Sequence, residues 1–258
     1  MRSHALTARG ARESAPSTAS AAAAKAAADA LVGIWPDQAH ADFGLAAVVR
    51  ANADAVTALA GDLLWQDDGH PLPYLAGFSL VGAGLYGPAI AHWQRVVADA
   101  ERLLGAEHPA TLYARAPLVE AYRLAGRVQE AVVAGERTAT DMARLLGEDH
   151  PAAIGARHNL AACYAHSGRA QEAIALEEAV LADHERLWGE GDPGTLAARS
   201  VLAGAYVEAG RTEEGIALQE LVVADRERIL GEDHPTTVET PPNASASLGP
   251  RTPTPSWP

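Results

Sequence analysis

The sequence predicts an all-α fold, a solenoid of stacked antiparallel helix pairs, and three observations predict it. First, "LLGEDHP" at residues 145–151 has near copies in "LLGAEHP", "LWGEGDP" and "ILGEDHP", and the closing prolines Pro109, Pro151, Pro193 and Pro235 stand 42 residues apart. A fixed step over several copies is the mark of a repeat array. Second, other positions keep the same step: Gly84, Gly126, Gly168 and Gly210; Tyr122, Tyr164 and Tyr206; Asp99, Asp141, Asp183 and Asp225. Third, only 5% of the 258 residues are aromatic, a composition that favours helices over strands.

Taken along the chain, residues 1–28 read as a disordered Ala/Ser-rich leader, since arginines interrupt them and no leucine-rich block marks a secretory signal. Residues 29–69 read as a helical segment that does not keep the 42-residue period. The array then spans 70–235, in units at 70–105, 109–147, 151–189 and 193–231. In the third unit the first helix runs from about residue 152 to 167, with Leu160, Cys163 and Tyr164 on one face. Gly168 ends it, because glycine takes the left-handed C-terminal position without steric cost. The second helix carries Ala173, Leu176, Val180 and Leu187 inward, and Ala173 is small where the helices cross. The "GEDHP" stretch turns the chain, and its proline suits the first position of the next helix. Two helices cannot bury both faces alone, so the units must stack. Residues 236–258 begin another first helix, which Pro241-Pro242 halts, and then form a disordered Pro-rich tail.

A net charge of −13 and a pI near 5.1 argue against nucleic-acid binding, which needs a basic face. No run of apolar residues reaches membrane-spanning length, and the single cysteine, Cys163, fits a cytoplasmic setting without disulfides. Lys25 is the only lysine and no phosphate-loop signature occurs, so no nucleotide cofactor is expected. Adjacent Glu148, Asp149 and His150 chelate poorly, which makes that stretch a turn and not a metal site. No nucleophile-base arrangement suggests an enzyme. Arg115, Arg157 and Arg199, again 42 apart, read as ion-pair donors between repeats.

The columns also carry a resemblance. "HNLAACYAHSGRAQEAIALEEAVL", residues 158–181, resembles a tetratricopeptide repeat (TPR), and the 42-residue period with its "LGEDHP" linker resembles the kinesin light chain subtype. The resemblance implies a right-handed superhelix whose concave groove binds a peptide or partner protein without catalysis or cofactor. Carried over position by position, the groove would show Tyr113, Glu120 and Arg123 in the second unit, His158, Asn159 and His166 in the third, and Ser200 and Glu208 in the fourth. Asn159 matches the asparagine that the family uses to hold peptide backbone, and Pro117 and Val201 replace it in the neighbouring units. The usual aromatic of the second helix is replaced by Gly135, Glu177 and Gln219. Pro117 should kink or shorten its helix. Residues 31–71 resemble the stretch that precedes such repeats in actinobacterial NB-ARC signalling ATPases. That second likeness implies an alternative role as the regulatory fragment of a separate nucleotide-driven switch. An uncapped last repeat predicts self-association through the C-terminal end.

Overall fold

In a computed structural model the chain is described over residues 17–35, 43–66 and 69–230. These residues form helices, with no strand among them, as the predicted fold class requires. The helices are α1 Ser17–Gly33, α2 Phe43–Ala60, a 3-10 turn Gly61–Trp65, α3 Leu72–Gly82, α4 Tyr86–Leu103 and α5 Pro109–Leu124. They continue with α6 Val128–Leu146, α7 Pro151–His166, α8 Ala170–Trp188, α9 Pro193–Glu208 and α10 Thr212–Leu230. The chain divides into two compact units, Met1–Asp141 and Met142–Pro258, with the boundary inside α6. None of the described helices is long and apolar enough to cross a membrane.

The first unit corrects the reading of its N-terminal end. Residues 17–28 are not a structureless leader but the larger part of α1. Ala24 and Ala28 of that helix pack with Ala53, Ala60, Leu64, Leu72 and Ala76, and Leu31, Val32 and Trp35 lie against the same cluster. Alanine is the strongest helix former, and its lone methyl lets helix axes approach closely. An alanine-rich stretch can therefore be a core element even though it looks like low-complexity sequence. Residues 1–16 lie outside the described part.

Each repeat is punctuated by the same two backbone devices. The glycine column takes positive φ, at +71° for Gly84, +72° for Gly126, +77° for Gly168 and +80° for Gly210. A side chain would be strained there, so these glycines end the first helices. At the other end, the residue before each proline is the N-cap. His108 and His150 accept through Nδ1 from the amides of Ala110 (3.2 Å) and Ala152 (3.1 Å). Asp192 accepts from Gly194 (2.8 Å) and Thr195 (3.2 Å). A cap of this kind satisfies one of the amides that every helix start leaves open. His70 does the same for Leu72 (3.1 Å), although it stands only 38 residues before His108. The first repeat thus opens one turn late, and α3 has 11 residues where α5, α7 and α9 have 16.

Pro117 does not shorten α5, which has the same 16 residues as α7 and α9. Val119, Ala121 and Tyr122 are buried beyond it, and their burial holds the last turns in place despite the missing backbone donor. Ala173 and Val180 face inward as expected, while Leu187 stays 36% exposed. The crossing of α9 and α10 leaves no room for a side chain at this column. Gly215 replaces the alanines of the other units, and a Cβ there would lie 2.6 Å from Val207 Cγ2 and 2.7 Å from the Ala203 carbonyl oxygen.

Two histidines, one buried and one half-buried, predict an acid-sensitive fold. The His92 ring is buried and its Nε2 bonds to the Pro73 carbonyl at 2.7 Å. His184 lies 4.7 Å from the Trp188 ring, and its buried Nδ1 has no partner. Burial pulls both imidazoles below the usual histidine value of 6.5. The unfolded chain therefore takes up protons that the folded chain refuses. Their contribution to stability is complete well above pH 6.5 and is lost as the pH falls through that value toward the lowered folded-state pKa. Thermal melts should show a midpoint that declines between about pH 7.5 and about pH 5.5, and His184→Phe should flatten the decline. An unchanged slope in that variant would remove His184 from the account.

Candidate functional site

Within each compact unit the first helices carry the candidate binding residues, and buried arginines tie those helices to their neighbours. Arg115 of α5 bonds to Glu101 of α4 (2.8 Å), to Asp141 of α6 (2.7 Å) and to the Ala106 carbonyl (3.2 Å). Arg199 of α9 repeats this with Glu185 of α8 (2.6 Å) and Asp225 of α10 (2.8 Å). One guanidinium thus ties three consecutive helices, because its planar fork can bond in two directions at once. These contacts bear out the ion-pair reading of the arginine column. Arg157 holds Asp183 (2.7 Å) and the Glu148 carbonyl (3.0 Å), but its buried Nε has no partner. The reason is plain in the register: residue 143 is alanine where the other clamps have Glu101 and Glu185. Ala143→Glu should complete the clamp and add about 1 kcal/mol, read as a higher urea midpoint.

A second layer repeats at the end of each first helix. Arg127, Arg169 and Arg211 lie 4.9, 3.9 and 4.1 Å from the ring centroids of Tyr122, Tyr164 and Tyr206. Each guanidinium also bonds the glutamate three residues on, Glu130, Glu172 or Glu214. Sequence columns display both tyrosine and arginine, but only the structure joins them as a cation–π stack.

In the first compact unit, Tyr113 is 44% exposed on α5. Glu120 and Arg123 are half-buried and bonded to each other in a two-pronged pair, at 2.8 and 2.5 Å. They present a neutralised pair and not two free charges. In the second unit α7 carries His158, Asn159 and His166, with the exposed Gly155 and half-buried Ala162 on the same helix. Asn159 is half-buried. His166 is exposed in the last turn and bonds through Nδ1 to the Ala162 carbonyl (2.8 Å). Ser200 Oγ lies 3.4 Å from Gln219 Oε1, and Glu208 is exposed as the last residue of α9.

His158 has a partner that sequence reading missed. Its Nδ1 lies 2.7 Å from Oε1 of Glu177, a carboxylate only 1% exposed whose Oε2 is buried without a partner. The two residues are 19 apart, and the repeat sets Ser200 and Gln219 at the same two positions. In the first repeat these positions are held by Tyr74 and Trp93, whose rings meet edge-on with centroids 5.9 Å apart. Ala116 and Gly135 occupy them in the following repeat. One helix-pair position is therefore filled in four ways: with aromatic rings, with almost nothing, with a histidine and a carboxylate, and with neutral polar groups. The replaced second-helix aromatic was the available signal, but the 19-residue spacing had to be seen in three dimensions.

Comparison with known proteins agrees with this architecture. Two tetratricopeptide-repeat profiles match, one over residues 77–110 and 195–236 and the other over 117–186, together more than half of the chain. Neither reaches residues 31–71, where the NB-ARC likeness was read. Among solved structures, the chain is similar to a kinesin light chain of P. anserina with nearly identical TPR-like repeats. The identity is 26% over 79% of this chain and 95% of that one, with a TM-score of 0.63. A point variant of that protein gives 26% identity, 79% and 94% coverage and a TM-score of 0.64. BtubC (BKLC) from P. vanneervenii is alike in fold alone, with 16% identity over 93% of this chain and 100% of that one and a TM-score of 0.59. No curated protein matches the sequence.

Proposed function

The chain belongs to the tetratricopeptide-repeat family, and from that premise we propose that it is a non-catalytic scaffold binding a peptide or partner protein on the exposed face of its first helices. The observation that carries this reading is the surface of α7. His158, Asn159 and His166 stand there with Gly155 and Ala162, so hydrogen-bonding side chains are interspersed with residues that leave room for another backbone. The helix beneath is rigid, capped by His150 and tied through Arg157. Preorganised groups on a rigid element lose little entropy on binding. The small residues set the shape of the site and the three polar side chains set its specificity.

The test is a capture experiment with the purified chain and a variant in which His158, Asn159 and His166 are all alanine. Polypeptides retained by the parent should be lost by the variant while circular dichroism stays unchanged. Retention of the same polypeptides by both proteins would move the site elsewhere.

A further inference from the structure

A second surface lies between the second helices, formed by α8 and α10 with α9 as its floor. It is an open trough of about 490 Å³, lined by Leu181, Leu202, Leu218 and Leu221 and rimmed by Glu178, Glu185 and Glu214. The same trough occurs in the first unit, at about 420 Å³, between α4 and α6 over α5. Its lining residues Glu101, Leu118, Tyr122 and Glu130 stand 84 residues, two repeats, before Glu185, Leu202, Tyr206 and Glu214. The repeat therefore builds part of the floor and rim each time; Leu181, Ala217 and Leu218 replace Val97, Val133 and Ala134, and two further positions change the charge of the rim.

At the first of these, Glu178 stands where the earlier repeat has Gln94; at the second, Leu221 stands where it has Arg137. The second trough has thus gained a carboxylate and exchanged a cation for an aliphatic side chain that is 56% exposed. Two of its three rim carboxylates are already bonded by arginines, Glu185 by Arg199 and Glu214 by Arg211. Glu178 accepts from the Tyr206 hydroxyl at 2.5 Å, and no cation is bonded to it among the described residues. The lining itself contains no arginine, lysine or histidine, whereas the first trough is lined by Arg115 and Arg137.

We propose that the α8–α10 trough is a docking site for a partner segment that presents aliphatic side chains flanked by lysine or arginine. The leucines supply the apolar burial that drives docking. Glu178, which is held in no ion pair among the described residues although Arg211 lies within coulombic reach across the Tyr206 ring, selects a basic flank over an acidic one by complementary charge. The site is separate from the α7 face and does not depend on it.

The probe is a synthetic amphipathic helical peptide of leucine and lysine, titrated into the full chain by calorimetry. Two control peptides have glutamate for lysine or the same composition in scrambled order. The deciding variant is Glu178→Gln with Leu221→Arg, which installs the side chains that the first trough already carries and so preserves the fold. The leucine–lysine peptide should bind once per chain, and the double variant should bind it at least tenfold more weakly. Neither control should bind measurably, and the triple α7 variant should bind like the parent. Equal affinity for parent and double variant would overturn the proposal, as would equal binding of the scrambled peptide. So would a parent chain that sediments as a dimer and that the double variant dissociates, because the occupant would then be a second copy.

Discussion

Replacing Trp93 by alanine is expected to destabilise the protein by about 4 kcal/mol, within the range for truncating large buried aromatics. Trp93 is fully buried, and the rings of Tyr74, Phe78 and His92 meet it edge-on at centroid distances of 5.9, 5.2 and 5.7 Å. Its space is reserved by Gly77, where a Cβ would come within 2.4 Å of the indole. The indole Nε1 is buried without a partner, which subtracts from its value and keeps the loss from being larger. A urea titration measures the cost, and a second substitution identifies its origin. Gly77→Ala should destabilise the parent by overpacking but should be close to neutral once Trp93 is alanine. Additive effects in that double-mutant cycle would mean that the two residues do not share the space.

The next largest effect should come from Arg199→Ala, at about 3 kcal/mol. The Arg199 side chain is 10% exposed, and removing it leaves Asp225, 19% exposed, and Glu185, 37% exposed, without their shared cation. Breaking a buried pair by deleting one partner is costly because the other charge stays behind. The partial exposure of Glu185 places the loss at the lower end of that range. Arg211→Ala removes a more exposed ion pair with Glu214 and should cost less. Equal urea midpoints for the two variants would show that the three-helix clamp contributes nothing special.

Much of this structure can be read from the sequence because the repeat makes each position speak several times. The glycine column marks the left-handed helix ends, the prolines mark the helix starts, and Arg115, Arg157 and Arg199 announce ion pairing before any partner is seen. What the repeat does not cover is harder. The α1 helix was missed because alanine supplies helix propensity and close packing without a visible apolar stripe. His70 was missed because its cap stands four residues off the period. In the candidate site, the columns locate the exposed positions of the first helices but not the side chains behind them. His158 looks like an isolated surface histidine until Glu177, on the next helix, is found beside it. Glu120 and Arg123 look like two recognition charges until they are seen to bond each other. The tail from residue 231 onward, on which the reading of an uncapped end rests, lies outside the described residues.

The four fillings of the helix-pair position bear on how the chain folds as well as on what it binds. Repeats that share one consensus run the risk that a first helix docks on the second helix of the wrong repeat, the characteristic misassembly of such arrays. Here that error would be chemically conspicuous. With α5 docked on α8, Glu177 would be buried opposite Ala116, a carboxylate with no imidazole to meet it. With α7 docked on α4, Trp93 would have to fit against His158. Such mispaired states bury an unpaired charge or leave an aromatic without its ring partners. This variable position thus gives the aromatic pair and the histidine–carboxylate pair an address during assembly.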